Sequence, residues 1–195
     1  MKDLGKQLVP ALLVTVVLTV LLGLLYPLAV TGLAQLLFPH QANGSLIVQG
    51  GKVVGSRLLG QPFTQAGHFH SRPSAAGTGY DPTATGGTNL GPTSKKLVDQ
   101  VKAATAAAQS ENPNLPVPAD LVTSSASGLD PHVTPAAAEF QVPRVARERG
   151  LPEATVRQLV AAHTEGRTLG VLGEPRVNVL ELNLALDQLQ GWARR

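Results

Sequence analysis

Cysteine is absent from the 195 residues. No disulfide framework and no thiolate metal site can therefore form, so the fold must be held by packing and hydrogen bonds alone. Aromatic residues are scarce, at one Trp, two Tyr and four Phe, which leaves Leu, Val and Ala to build the core. Charge is missing from one long stretch: no Asp, Glu, Lys or Arg lies between Lys6 and Lys52. Elsewhere the net charge of +3 comes from scattered Lys and Arg with no basic stripe and no interleaved aromatics, a pattern that argues against a nucleic-acid partner.

The uncharged stretch opens with a run from Gln7 to Phe38 that is rich in Leu, Val, Ala, Gly and Thr. A helix crossing the hydrocarbon core of a lipid bilayer needs about 20 such residues, so the run reads as one transmembrane helix. The competing reading is a cleaved secretory signal, but its apolar core spans only about 7 to 15 residues. Lys2 and Lys6 precede the run and no cation follows before Lys52. The expected topology is single-pass in the cell (inner) membrane, with residues 1–6 cytoplasmic, 7–38 forming the span with its flanks, and 39–195 extracytoplasmic. Pro10 is placed in the tolerant first turn, and Pro27 is expected to kink the helix or mark its exit. Gly23 and Gly32 offer a small face for packing against a neighbouring helix.

Roughly 155 residues remain, the size of one domain. Ser45–Val48 and Lys52–Val54 are predicted to pair as a hairpin turned at Gly50 and Gly51. From Gly55 to Pro92 the chain is rich in Gly, Ser, Thr and Pro, with Leu58, Leu59, Phe63, Phe69 and Tyr80 as expected anchors. A loop of that length carrying aromatics is expected to be ordered and functional. Thr93 or Ser94 should cap a helix to about Gln109, with Leu97, Val101 and Ala104 or Ala108 on one face. Thr134 and Pro135 should start another, which Pro143 is expected to break or restart and Gly150 to end. A further helix is predicted from Pro152 to about His163, burying Val156, Leu159 and Val160. Arg176–Leu189 alternates as a strand would, yet Val179, Leu182, Leu186 and Leu189 recur at helical steps and Asn178 with Glu181 has the form of a capping box, so helix is favoured. The fold class read from this is α+β: one N-terminal transmembrane helix, then a single, mainly helical exported domain with a small β-hairpin and long ordered loops.

Candidates for chemistry are few. His68 and His70 form an H-x-H pair that on a strand would share one face and could begin a metal site, with His132, Asp81 or Asp130 as further ligands. That supports an alternative function, a membrane-anchored extracytoplasmic metal-dependent hydrolase. Ser94 beside Lys95, or Thr93 before Lys96, could pair a nucleophile with an amine, but the amine would sit on an exposed helical turn and keep its proton. The glycines from Gly86 to Gly91 serve tight turns or an anion cradle. Glu174 and Arg176 flank Pro175 and could form an internal or partner-facing ion pair.

Several segments, read in order, resemble one family: Gly55-Ser56-Arg57-Leu58-Leu59-Gly60-Gln61, Phe69-His70-Ser71-Arg72-Pro73-Ser74-Ala75, and Gly86-Gly87-Thr88-Asn89-Leu90-Gly91-Pro92. Pro118 to Thr123, Ser127 to His132 and Gly173-Glu174-Pro175-Arg176-Val177-Asn178-Val179-Leu180 continue the series. With the leading span, they are similar to KdpC, the C subunits of the bacterial high-affinity potassium-transporting Kdp ATPase. The resemblance implies partnership with a channel-like potassium-binding subunit and a P-type ATPase subunit, no cofactor of its own, and ATP and potassium handled by the complex. It also implies a non-catalytic accessory role: stabilising assembly, and raising the ATP affinity of the catalytic subunit as a catalytic chaperone. The Asp-Lys-Thr-Gly motif of a P-type motor is absent from the chain. Motif residues expected to build the contact surface are Gln61, Arg72, Pro73, Ser74, Asn89, Gly91, Asp130, His132, Glu174, Arg176 and Asn178.

Overall fold

A computed structural model describes residues 2–190, and the chain divides after Leu46 into two compact units. The first unit is one continuous apolar helix: α1 (Lys2–Val20), a π turn at Leu21–Leu25, and α2 (Tyr26–Leu37). Within it Gly5–Leu37 is long and apolar enough to cross a membrane. Pro10 departs from expectation. The helix is already formed at Lys2, so Pro10 lies in its interior rather than in its first turn. Of the two outcomes expected at Pro27, the exit does not occur, because the helix continues to Leu37. The π turn just before it lets Tyr26 N–H bond Leu21 O, five residues back, and the wider turn relieves the crowding a proline ring imposes on the preceding carbonyls. Gly23 and Gly32 are nine residues apart, and at about 100° per residue that is about half a turn. They open two small surfaces on different sides of the helix rather than one. A single helical turn, α3 (Pro39–Ala42), follows.

The second unit, from Ile47, opens within a hairpin, β1 (Leu46–Gln49) and β2 (Lys52–Ser56), turned at Gly50 and Gly51 with φ of 55° and 78°. Then come α4 (Lys95–Glu111), a short 3-10 turn at Ala119–Leu121, β3 (His132–Val133), α5 (Pro135–Arg149), α6 (Glu153–Ala162), β4 (Thr164–Glu165), β5 (Arg176–Asn178) and α7 (Val179–Gln190). Strands β3, β5 and β4 form a second, antiparallel sheet in that order, with Val177 opposite both Val133 and Thr164. So residues 176–178 are strand, not helix. The capping interaction holds nonetheless: Glu181 N–H donates to Asn178 Oδ1 at 3.1 Å as α7 begins.

Thr134 Oγ1 accepts the Ala137 N–H at 3.1 Å, and Gly150 closes α5 in the left-handed region at φ 63°. Pro143 does not interrupt α5, contrary to expectation. Its neighbours Val142 and Val145 are completely buried. Burying each contributes about 1.5–3 kcal/mol, which offsets one missing helical hydrogen bond. Sheet, α5, α6 and α7 enclose one core, built around Val142, Val145, Val156, Val177, Leu182 and Leu186 and plugged by Phe69. Leu58 and Leu59 are not anchors: a turn after β2, in which Leu59 N–H donates to Ser56 O, leaves them 58% and 39% exposed. Leu189 is likewise exposed, so the α7 stripe ends at Leu186.

Candidate partner-binding surface

The long segment between β2 and α4 is tied down by close backbone approaches. A Cβ at Gly60 would lie 2.6 Å from Asp130 O, and one at Gly128 would lie 2.7 Å from Ala76 N. Gly128 also has φ 68°, so only glycine fits there without strain. Ser74 completes the knot: its hydroxyl donates to Gly128 O at 2.6 Å and accepts the N–H groups of Ala76 and Tyr80 at 3.2 and 2.8 Å. The Tyr80 hydroxyl donates to Arg72 O, and burial pushes its pKa up.

These ties bring Arg72 to Asp130. Arg72 Nη1 lies 3.2 Å from Asp130 Oδ2, while Asp130 Oδ1 accepts the His132 N–H at 3.0 Å and faces His132 Nδ1 at 3.6 Å. Burial would raise the Asp130 pKa, but hydrogen bonds from the His132 side chain and backbone and the charge of Arg72 outweigh it and hold the carboxyl below its usual 3.8. A recess of about 220 Å³ is lined by Arg72, Asp130, His132, Glu174 and Arg176. Five motif residues spaced widely along the sequence thus meet at one surface. Glu174 pairs with Arg167, and Arg176 Nη2 with Glu165 at 2.9 Å, so Glu174 and Arg176 do not pair with each other.

The other motif residues have different places. Asn178 donates to Arg57 O at 2.8 Å, and Gln61 donates to Val54 O at 3.1 Å while its own carbonyl accepts the Ser71 hydroxyl. Both are internal fasteners. Asn89 and Gly91 are exposed on the turn before α4. Pro73 and Ser74 line a separate groove of about 700 Å³ against the Leu97 and Val101 side of α4.

Catalytic readings lose their geometry. His68 and His70 do not lie on a strand. His68 Nε2 meets Asp187 Oδ1 at 3.0 Å, His70 Nε2 meets Gln65 O at 3.2 Å, and His132 pairs with Asp130. Among the described residues no three His, Asp or Glu side chains converge as metal ligands. Lys95 sits in an exposed pair with Asp99, so no desolvated amine stands beside Ser94.

Sequence reasoning missed the clamp on this loop. Asn183 grips Phe69 with both ends of its amide, at 2.8 and 2.9 Å, and Gln141 does the same for His70 at 2.7 and 3.1 Å. Arg144 donates to Ala66 O and, at 2.9 Å, to His68 O. Arg149 donates to Gly67 O and pairs with Asp187, each at 2.6 Å. The signal that could have found them is Asn183, which falls on the apolar stripe of α7 four residues after Val179, where a polar side chain needs a buried partner. Burial and the Arg144 charge lower the His70 pKa below its usual 6.5.

The sequence pattern of the family described as KdpC, K+-transporting ATPase, c chain, matches residues 8–188. A potassium-transporting ATPase KdpC subunit of Koribacter versatilis is 64% identical over 185 residues, covering 95% of this chain and 96% of the relative. Those of Myxococcus xanthus and Acidobacterium capsulatum are 62% and 59% identical, over 93% and 92% of this chain and 87% and 96% of theirs. With one apolar helix leading a domain whose recurring motifs fasten its loops and meet at one recess, the chain belongs to the KdpC family of potassium-transporting ATPase subunits.

Proposed function

We propose that this chain is a non-catalytic accessory subunit that holds the channel-like potassium-binding subunit and the P-type ATPase subunit of the transporter together. ATP and potassium are then bound by those partners, and this chain needs no cofactor. The observation that carries the reading is the match of residues 8–188 to a family of transporter subunits, and the candidate reactive side chains Ser74, His68 and His132 each have an internal partner, Gly128, Asp187 and Asp130. What is left to act with is contact. The recess around Arg72, Asp130, His132, Glu174 and Arg176, with Pro73, Asn89 and Gly91 on neighbouring turns, is the proposed docking face, and Gly23 and Gly32 are proposed packing points within the membrane.

Lys2 and Lys6 before the span support an N-terminus in the cytoplasm and residues 39–195 outside the cell membrane. An effect on ATP affinity would then have to cross the bilayer as conformational coupling, typically about 1–3 kcal/mol. Assembling the complex with and without this chain tests the role. Without it, the other subunits should fail to co-purify and pumping should be lost; full pumping in its absence would reject the role. Protease added to intact spheroplasts should digest residues 39–195.

A further inference from the structure

Residues 167–174 fold back as a tight turn between β4 and β5. Thr168 and Leu172 exchange backbone hydrogen bonds at 2.8 and 2.9 Å, and Gly170 N–H reaches Arg167 O at 3.0 Å. Across the base, Arg167 Nη2 meets both carboxylate oxygens of Glu174 at 2.8 and 2.7 Å. The turn is fixed, yet it holds Leu169, Val171 and Leu172 out into solvent, 87%, 72% and 58% exposed. Single apolar residues on a surface are ordinary, but three on one rigid tip form a patch that asks for a cover.

Leu169 sharpens the point. Its φ of 54° lies in the left-handed region, where Gly or Asn fits and a leucine is strained. Tyr80, at a similar φ, has internal hydrogen bonds to account for it, whereas the Leu169 side chain is almost wholly in solvent. No internal packing accounts for a leucine at this backbone conformation.

Three covers are conceivable, and the tip selects among them. Lipid-inserting segments carry interfacial aromatics and a cationic rim. Residues 164–178 contain no aromatic, and the rim cations are neutralised, Arg167 by Glu174 and Arg176 by Glu165. A second copy of the chain would need about 800 Å² on each side for a stable dimer, far more than three side chains offer. A protein socket with an apolar floor and a neutral polar rim matches both features, since small clusters of buried anchors dominate interface energies. The partners are already engaged by the docking face and span proposed above, so the tip need only add to an existing contact, whereas a second copy would have this patch alone. Resting on the subunit role proposed above, we infer that the 167–174 turn is a plug that seats Leu169, Val171 and Leu172 in an apolar socket on a partner subunit of the transporter.

Because the chain lacks cysteine, Leu169→Cys gives it one thiol, to which a benzophenone photo-crosslinker can be attached before the full chain is assembled with its partners in lipid vesicles. Irradiation should produce an adduct with a partner subunit. An adduct with lipid or with a second copy of this chain, or no adduct, would overturn the plug. Leu169→Asn suits the left-handed backbone and removes the apolar anchor, so the thermal stability of the chain should hold or rise while its loss from the complex on washing speeds up about tenfold. Retention equal to the parent chain would also overturn it. A complex that assembles and pumps without the chain fails the subunit role itself; one that needs the chain but tolerates Leu169→Asn fails only the plug.

Discussion

Residues Gly67 to His70 form neither helix nor strand, yet Gln141, Arg144, Arg149 and Asn183 all hydrogen-bond their backbone. Helix α4, by contrast, is a regular element of 17 residues without one buried side chain. It is tethered near its C-terminal end, where Glu111 meets Arg144 and Asn112 donates to Phe140 O at 2.9 Å. Regular backbone and firm placement are separate properties. The first comes from local propensity, the second from how many buried partners a segment has.

Arg149 gives the strongest test of that contrast. Its side chain is fully buried, so Arg149→Met unpairs the Gly67 carbonyl and leaves Asp187 with His68 as its remaining partner, and should cost about 3–5 kcal/mol, read from denaturant unfolding in detergent. Asn183→Ala should cost somewhat less, about 2–4 kcal/mol, because it leaves the buried Phe69 N–H and C=O unpaired but strands no charge. Native-like melting of either variant would mean that the clamp does not fix the loop.

A smaller effect depends on pH. The His70 pKa is lowered in the folded state, so the unfolded chain takes up the proton first as pH falls. The associated stability is intact above about 6.5 and is lost as pH drops through the folded value. Replacing His70 by Gln should flatten the unfolding midpoint over that range, and an unchanged slope would assign the acid sensitivity elsewhere. On α4 the effects should be smallest: Val101→Ala below about 1 kcal/mol, since the site is already half open, and Lys95→Ala below about 0.5 kcal/mol for an exposed i,i+4 pair. A loss at Val101 as large as that at Asn183 would erase the distinction between the two regions.

What could be read from the chain beforehand follows the range of the interactions involved. The span, the Gly50-Gly51 turn, the half-buried face of α4 and the Thr134 cap are all set by residues within a few positions of one another, and each was legible. Strands β3, β4 and β5 are two or three residues long, too short to show a period. Pro143 was misjudged because its penalty is local whereas the burial that offsets it is tertiary. The clamp was missed for a related reason: Gln, Arg and Asn on a helix read as solvent-facing, and the loop backbone they grip lies 71 to 114 residues away. At the recess, Arg72, Asp130, His132, Glu174 and Arg176 carry a sequence signal one by one, as parts of separate motifs, but their convergence on one surface could not be foreseen. The outward tip at Leu169 carried one sequence signal, apolar residues between two glycines, and no indication that they would point away from the core.

The length of the apolar helix has a consequence for the fate of surplus copies. Thirty-three residues from Gly5 to Leu37 rise about 50 Å, against a hydrocarbon layer of about 30 Å. Even a steep tilt of about 40° leaves roughly 8 Å of it beyond the acyl chains. Leu33, Leu36 and Leu37, all largely exposed, belong to one such end. Head groups solvate leucine poorly, so a copy synthesised in excess of its partners keeps greasy turns that nothing shields. Such orphans are expected to be recognised and degraded by membrane quality control, which would make the abundance of this chain follow the supply of the proteins it joins.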